Sequence, residues 1–248
     1  MDPAERPAGA GPAGQRRPAD LHGGGPMNRL PLRAFVQARM SSRRFPGKVL
    51  APFRGRPLLS HLLERLHTVL PKEAVVLATS REGSDDPLAR FAAEAGVPLF
   101  RGELSGVARR LREALAVYPC DRFFRVCADS PWVDPNLARA MWEGEPADLV
   151  TNVFPRTFPR GRSLELLRSD IFLAQDLSAW DSEALEHVTQ FYYRHPERFR
   201  IRNIVSPWGD QSALRLVVDR PEDLVRLEGM SEPERYPLPE RSAGRSRR

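Results

Sequence analysis

The chain has 248 residues, 41% of them hydrophobic, which suffices for one large domain with a sizeable core or for two small domains. Its apolar runs are only a few residues long, far short of the roughly 20 apolar residues that a membrane-spanning helix needs. The net charge is +6. There are only two cysteines, Cys120 and Cys127, and no histidine cluster lies near them, so neither a disulfide framework nor a zinc site is predicted. This cysteine content favours a reducing cytoplasm.

Both ends of the chain are predicted to be disordered. Residues 1–26 contain 6 Gly, 5 Pro and 5 Ala and bury too little apolar surface to offset the entropy lost on ordering. Met27 directly precedes the first strand-like run and is kept as an alternative start. Residues 231–248 hold five Arg against three Glu with almost no apolar side chain, which predicts a basic tail. The folded domain is therefore predicted over 27–230.

Between these ends, short apolar runs alternate with longer segments of helical period. This alternation is typical of a mostly parallel central sheet with helices on both faces. The predicted strands are 33–37, 74–79, 98–100, 122–127, 148–151, 163–167, 199–204 and 214–218. The predicted helices are 57–69, 85–95, 105–117, 134–142, 169–177, 182–194 and one that begins at Pro221.

The loop after the first strand carries a cluster of positive charge. Residues 37–48 read Q-A-R-M-S-S-R-R-F-P-G-K, with three Arg, one Lys and no acidic residue. Ligands of open parallel sheets bind at the carboxyl ends of the strands, and such a loop suits a polyphosphate. The alternative is a solvated basic loop, because runs of charge usually face water.

The same stretch resembles the Q-A-R-M-x-S-x-R-L-P-G-K signature of the cytidylyltransferase family that includes spore coat polysaccharide biosynthesis protein F. Further agreement follows in the family's order, and the match spans about 33–227. The agreeing segments are 78–80, 85–87, 100–102, 129–135, 156–161, 186–189 and 218–224.

The resemblance implies a Rossmann-like nucleotide-diphospho-sugar transferase fold. It also implies transfer of a cytidylyl group from CTP to an acidic sugar or a related anionic acceptor, with release of pyrophosphate, for surface polysaccharide or a similar glycoconjugate. CTP and an anionic small molecule are the implied partners, a second copy of the chain is a candidate partner, and neither nucleic acid nor a membrane is expected. The main alternative is a relative that uses another nucleotide or nucleotide sugar, since one fold serves many activities. A nucleic-acid-binding module is supported only by the net charge and the abundance of arginine.

The resemblance also implies roles for single residues. The implied catalytic residues are Arg39, Lys48 and Asp129. The implied nucleotide-binding residues are Gln37, Ala38, Arg39, Arg44, Lys48, Thr79, Ser80 and Arg101. The implied acceptor-binding residues are Arg160, Glu165, Glu186, His187 and Thr189.

Asp129 and Asp219 are the implied magnesium ligands. Each follows an apolar run predicted as a strand, which would direct both side chains into one crevice if the strands lie close. One or two carboxylates suffice for magnesium, because phosphate and water complete its coordination. The alternative role is a turn or helix cap, above all for Asp219, because Pro221 opens a helix.

Two departures from the family pattern make the predicted pocket more basic. Arg109 stands where acidic residues are common in the family. Ser163 replaces an aspartate and follows Arg162. These changes predict a more anionic acceptor, an altered substrate or a loss of activity.

Overall fold

A computed structural model describes residues 28–238. The predicted extension 1–26, the alternative start at Met27 and residues 239–248 of the predicted tail lie outside the described residues. The strands are β1 (Leu30–Gln37), β2 (Pro52–Phe53), β3 (Arg56–Pro57), β4 (Val75–Ser80), β5 (Leu99–Gly102), β6 (Cys120–Cys127), β7 (Leu149–Thr151), β8 (Glu165–Arg168) and β9 (Ile201–Asn203). The helices are α1 (Leu58–His67), α2 (Asp86–Ala95), α3 (Val107–Val117), α4 (Pro135–Glu143), α5 (Ser169–Leu173), α6 (Ser182–His187), α7 (Gln190–Arg194) and α8 (Pro221–Glu228).

Seven strands form the central sheet, in the order β5-β4-β1-β6-β8-β7-β9. Only β8 runs antiparallel to its neighbours, while the other paired strands are parallel. This arrangement confirms the predicted mostly parallel α/β sheet. Strands β2 and β3 form a separate small hairpin, which the sequence did not predict.

Helices cover both faces of the sheet. Alternate residues of β1 point to opposite faces, so that Ala34 and Val36 pack with α1, α2 and α4, whereas Phe35 packs with α3, α5, α6 and α7. All six residues of β4 are buried. Burial on both faces explains why the parallel strands have continuous apolar runs rather than an alternating pattern.

The predicted strand 214–218 is wrong as a sheet strand. Leu216 and Val218 are buried while Leu214 is exposed, an alternation that reads as a strand. The segment forms a single β-bridge with the chain around Arg160, through hydrogen bonds from the Arg160 N–H to the Leu214 carbonyl (2.9 Å) and from the Leu216 N–H to the Arg160 carbonyl (2.6 Å). It is an extended connection with one buried face that lies outside the seven-stranded sheet.

The predicted helix 182–194 is broken into α6 and α7. The break is at Val188, whose φ of 34° is rare for a β-branched residue. The helix predicted over 169–177 likewise ends earlier, at Leu173. The break at Val188 has consequences for the site, because His187 and Thr189 on its two sides face different surroundings.

Part of the predicted tail packs against the domain. Residues 231–238 contain no helix or strand, but the Tyr236 N–H donates to Asp134 Oδ2 at 2.6 Å, and the Asn136 side chain donates to the Tyr236 carbonyl at 3.0 Å. Glu232 pairs with Arg65 at 2.6 Å. The packed chain therefore extends at least six residues beyond the predicted boundary at 230, as far as Tyr236. The composition of the tail did not indicate this, because it depends on the single aromatic ring of Tyr236. In residues 28–238, no helix is both long enough and apolar enough to cross a bilayer.

Candidate active site

A cavity of about 880 Å³ opens at the carboxyl ends of β1 and β6. This is the position at which open parallel sheets bind their ligands. Nine predicted site residues line it: Gln37, Ala38, Arg39, Arg44, Lys48, Asp129, Glu186, His187 and Asp219. The predicted basic loop therefore faces a cavity rather than open solvent.

Backbone hydrogen bonds hold the basic loop at both ends. The Ala38 N–H donates to the Ala78 carbonyl at 3.2 Å, and the Gly47 N–H donates to the Met40 carbonyl at 2.9 Å. Gly47 has a φ of 73°, a left-handed conformation that glycine adopts without strain. A short turn of 3-10 helix follows at Lys48–Leu50 and buries Lys48. The loop thus turns back on itself and delivers Lys48 to the cavity.

Asp85 fastens the loop to the end of β4. Its side chain is fully buried and accepts hydrogen bonds from the Met40 N–H (2.7 Å), the Thr79 hydroxyl (2.9 Å), and the Ser80 N–H (3.1 Å) and hydroxyl (2.5 Å). Burial opposes ionisation, but these hydrogen bonds outweigh it and lower the pKa of Asp85. Asp85 is therefore an ionised anchor directly behind the basic loop.

Lys48 joins the two predicted metal ligands. Its Nζ lies 2.7 Å from Asp129 Oδ2 and 3.3 Å from Asp219 Oδ1, and it donates to the Val218 carbonyl at 2.8 Å. The Val218 N–H donates to the Asp129 carbonyl at 2.9 Å, which holds the extended segment 214–218 beside the end of β6. This contact brings the two carboxylates together, although only one of them follows a sheet strand.

Asp219 does not cap α8. The Asp223 side chain accepts from the backbone N–H groups of both Asp219 and Arg220, at 2.9 and 3.0 Å. The Asp219 carboxylate instead faces Lys48, Arg44 and Arg215. Asp223 therefore supplies the side-chain cap of α8, and the Asp219 side chain lines the cavity.

The donor set fits a magnesium ion. No group of three or more His, Cys, Asp or Glu within residues 28–238 is arranged to hold a metal, but magnesium in nucleotide sites often takes only one or two carboxylates. The Lys48 ammonium marks a position within reach of both Asp129 and Asp219 at which positive charge is held.

Two arginines of the basic loop have acidic partners from distant parts of the chain. Arg39 lies 3.1 Å from Glu186 on α6, and Arg44 lies 2.8 Å from Asp219. The sequence showed no acid within the loop, because these partners are far away along the chain. Both arginine side chains are about half exposed, so exchange of a carboxylate for a phosphate requires little rearrangement.

Three predicted nucleotide-binding residues do not line the cavity. Thr79 and Ser80 are fully buried and donate to Asp85. Arg101 donates to the Ser80 carbonyl at 2.8 Å and pairs with Asp86 at 2.8 Å. Through Asp85, these residues hold the loop that carries Arg39. A structural cap of this kind is the alternative role of a Thr-Ser pair at the end of a strand.

The predicted acceptor-binding residues are divided between the cavity and its surroundings. Glu186 and His187 line the cavity from the end of α6. Glu165 and Thr189 lie behind the lining, where the Thr189 hydroxyl donates to Glu165 at 2.7 Å. Arg160 is exposed and outside the lining.

Two arginines outside the basic loop that were not predicted as site residues also line the cavity: Arg110, which is buried, and Arg125, which is mostly buried. Arg110 on α3 donates to the carbonyls of Glu103 and Leu104 (2.7 and 3.2 Å). A Cβ at Gly102 would lie 2.8 Å from the Arg110 Cγ, so glycine leaves room for this side chain. Arg125 lies on β6 and pairs with Glu165 at 2.7 Å. The available signal was a charged residue inside the apolar run Phe123–Cys127.

Unpartnered donors and a neutral thiol complete the lining. The Nε atoms of Arg110 and Arg125 and the Nε2 atom of Gln37 are buried without a hydrogen-bond partner among the described residues. Burial raises the pKa of the Cys127 thiol to about 11, so this thiol is neutral at physiological pH. Buried donors without partners are rare in folded proteins, and these three belong to residues of the cavity lining.

The predicted basic departures lie elsewhere. Arg109 is exposed on α3 and does not line the cavity. Arg162 is buried and forms an ion pair with Asp134, the residue that caps α4. Neither side chain adds charge to the cavity lining, because one faces solvent and the other is neutralised inside the domain.

Comparisons with known proteins agree with this fold. The family described as cytidylyltransferase matches residues 34–232. The chain is 27% identical over 202 residues to the spore coat polysaccharide biosynthesis protein SpsF of Bacillus subtilis, covering 79% of this chain and 84% of that protein. It is 35% identical over 109 residues to 3-deoxy-manno-octulosonate cytidylyltransferase of Synechococcus elongatus, covering 44% of each chain.

Among solved structures, a cytidylyltransferase from Leptospira borgpetersenii superimposes with a TM-score of 0.75 at 29% identity, covering 81% of this chain and 86% of that one. Sequence and structure therefore agree over most of the described residues. The chain belongs to the cytidylyltransferase family and has the nucleotidyltransferase fold of that family.

Proposed function

We propose that this chain transfers a cytidylyl group from CTP to an acidic sugar or a related anionic acceptor and releases pyrophosphate, with a magnesium ion held by Asp129 and Asp219. The observation that carries the proposal is the convergence of the basic loop, Asp129 and Asp219 on one cavity. The printed names of the relatives support the acceptor class, because one acts in polysaccharide biosynthesis and another is a cytidylyltransferase for 3-deoxy-manno-octulosonate.

The proposed reaction is a displacement at the α-phosphorus of CTP. A hydroxyl oxygen of the acceptor forms a bond to that phosphorus, the bond to the bridging oxygen of pyrophosphate breaks, and the hydroxyl proton is released. The protein contributes mainly positioning and charge stabilisation in reactions of this kind. The magnesium ion, when bound, supplies positive charge to the triphosphate oxygens.

The cationic side chains have separate roles in this proposal. Arg39 exchanges Glu186 for a phosphate oxygen, since both partners are partly exposed and 3.1 Å apart. Lys48 is held at the metal ligands and provides a compact charge beside the α-phosphate. Arg44 lies next to Asp219 and neutralises the leaving pyrophosphate.

Pyrophosphate release tests the proposal. It is measured with each of the four nucleoside triphosphates, with and without magnesium, against a panel of sugar acids and polyol phosphates. CTP should be preferred. Release with another triphosphate only would overturn the assignment of CTP.

The metal site is tested with Asp129→Asn and Asp219→Asn, which keep the side-chain size and remove the charge. Both variants should fold and lose magnesium-dependent turnover, and the double variant should resemble the worse single one, because a lost ion cannot be lost twice. Purely structural roles would instead lower the melting temperature additively and keep turnover. Full activity of Asp129→Asn would exclude the proposed metal site.

A further inference from the structure

Arg125 is a mostly buried arginine in the lining of the cavity. It lies on β6 between Phe123 and Cys127, which point to the same face of the sheet. Its side chain is only 13% exposed, yet it lines the cavity four residues before Asp129. Its Nε has no hydrogen-bond partner among the described residues. A guanidinium group has five N–H donors, so donors remain after its pairing with Glu165.

Both carboxylate oxygens of Glu165 accept hydrogen bonds, one of them from Arg125. The two residues are direct cross-strand partners on β6 and β8, and Glu165 Oε2 accepts from Arg125 Nη1 at 2.7 Å. The other oxygen, Oε1, accepts from the Thr189 hydroxyl and the Tyr193 hydroxyl, each at 2.7 Å. Since both oxygens are engaged and the side chain is 6% exposed, Glu165 is placed to orient Arg125 rather than to contact an acceptor.

Two further arginines, Arg156 and Arg160, lie outside the cavity lining, and Arg156 is near Glu165. Arg156 is within electrostatic range of Arg160 and Glu165, and burial, followed by the charge of Arg160, lowers the pKa of Arg156. Its side chain donates to the neutral Ser163 hydroxyl at 3.0 Å. Within residues 28–238, neither Arg156 nor Arg160 has a carboxylate at ion-pair distance, and neither lines the cavity, so Arg125 is the guanidinium group on this side that a ligand in the cavity would meet.

We propose that Arg125 binds the anionic group of the acceptor on the β8 side of the cavity and that Glu165 is its positioning residue. The proposal rests on the proposed function for the identity of the reaction. In this arrangement the anionic group of the acceptor binds Arg125, whereas the triphosphate binds Arg39, Arg44 and Lys48. A carboxylate and a phosphate are both suited to a guanidinium fork, and the experiment distinguishes them.

The test uses variants that keep the buried charge balanced. Arg125→Lys retains the positive charge opposite Glu165 but removes the planar fork, which is not a conservative change at a bidentate site. The pair Arg125→Met with Glu165→Gln removes both charges together and so avoids an unpaired buried carboxylate. Arg162→Lys is the matched control, because Arg162 forms a buried ion pair with Asp134 away from the cavity.

Three quantities are measured for each variant: the melting temperature, the Kd for a nonhydrolysable CTP analogue with magnesium, and the Kd for an acceptor probe bound to that complex. The probes are 3-deoxy-manno-octulosonate, its uncharged carboxamide and mannose 6-phosphate. The wild type should bind at least one anionic probe and should bind the carboxamide more weakly than its parent acid. Arg125→Lys and the double variant should weaken binding of that anionic probe about tenfold or more and change the nucleotide Kd less than about twofold. Arg162→Lys should leave both Kd values unchanged.

Unchanged binding of the anionic probe by Arg125→Lys, with normal nucleotide binding, would overturn this proposal and leave the proposed function intact. Equal weakening of probe and nucleotide would also overturn it, since that indicates a general disturbance of the cavity. Binding of neither anionic probe by the wild-type nucleotide complex would do the same. Failure of the wild type to bind the CTP analogue would overturn the proposed function, and this proposal with it.

Discussion

Lys48 balances two carboxylates whose mutual repulsion would otherwise disturb the site. It is buried, with its ammonium group within 3.3 Å of both Asp129 and Asp219. An unpaired buried charge is costly, because it loses hydration and gains no partner. The same residue therefore contributes to folding and to the proposed catalysis.

Lys48→Ala should lower the free energy of unfolding by roughly 2 kcal/mol and reduce turnover. Magnesium should raise the melting temperature of this variant more than that of the wild type, because the two carboxylates no longer have the ammonium group as a partner. The measurement is thermal unfolding with and without magnesium, in the absence of nucleotide. The other lysine, Lys72, is exposed, and Lys72→Ala serves as the control with no expected change. An Lys48→Ala melting temperature that does not respond to magnesium would argue against a shared cation site.

Asp85 gives a pH-dependent contribution to stability. Its pKa is lowered in the folded chain from an ordinary value of 3.8. A carboxyl group whose pKa is lower in the folded state makes its full contribution to the stability of the fold at pH values above its pKa in the unfolded chain. This contribution is lost as the pH falls through the pKa of the folded state. Asp85 should therefore support the basic loop at neutral pH and release it in acid.

Asp85→Asn should destabilise the protein by about 1–3 kcal/mol at pH 7, and this difference from the wild type should shrink below about pH 4. Urea unfolding at several pH values measures it. Asp86→Asn is the control, because Asp86 is an exposed neighbour whose pairing with Arg101 is on the surface. A difference that stays constant down to pH 3 would mean that the ionised form of Asp85 is not the stabilising one.

At the scale of elements, the extended segment 214–218 determines where Asp219 lies. Gly161, with a φ of 101°, packs against this segment. A Cβ at Gly161 would lie 2.4 Å from the Leu216 carbonyl carbon, closer than any side chain can pack. The glycine is therefore required by both its conformation and its contact.

Gly161→Ala should cost roughly 2–4 kcal/mol of stability and should reduce magnesium-dependent turnover, because a shifted segment moves Asp219 away from Asp129. Gly209→Ala is the matched control. Gly209 also has a positive φ, of 79°, but a Cβ there would meet no atom within 4 Å, so only the backbone cost of about 1–2 kcal/mol is expected. Chemical denaturation and pyrophosphate release measure the two effects. Equal behaviour of the two variants would show that the contact with Leu216 is unimportant.

At the scale of the whole molecule, the carboxyl-terminal segment joins distant parts of the domain. Tyr236 is hydrogen-bonded to Asp134 and Asn136 at the start of α4 and packs near Phe158, with ring centroids 6.2 Å apart. Asp134 also pairs with the buried Arg162. Loss of the segment would expose this polar cluster to water.

Truncation after residue 230 should lower the free energy of unfolding by roughly 2–3 kcal/mol, from two hydrogen bonds and the burial of one aromatic ring. Truncation after residue 238 is the control and should leave it unchanged. Thermal and urea unfolding of both proteins measure the difference. If the protein that ends at residue 230 were as stable as the full chain, the domain boundary predicted at 230 would be correct.

Local sequence patterns were sufficient to predict the fold class and the location of the basic loop. Continuous apolar runs such as Val75–Ala78 and helices with apolar residues at a 3.6-residue period depend on neighbouring residues only, so local patterns reveal them. The order of residues in 37–48 carried the family resemblance for the same reason. Most of the strands of the sheet and the first four long helices were predicted within a few residues.

Which charged side chains pair with one another depends on the folded arrangement of the chain. Lys48 pairs with residues 81 and 171 positions away, Arg125 finds Glu165 across two antiparallel strands, and Arg162 is neutralised inside the domain by Asp134. Spacing along the chain does not encode such contacts, because they depend on the order of the strands and on the side to which each connection returns. The segment 214–218 shows the same limit, since alternating burial identifies a buried face but not the partner that covers it.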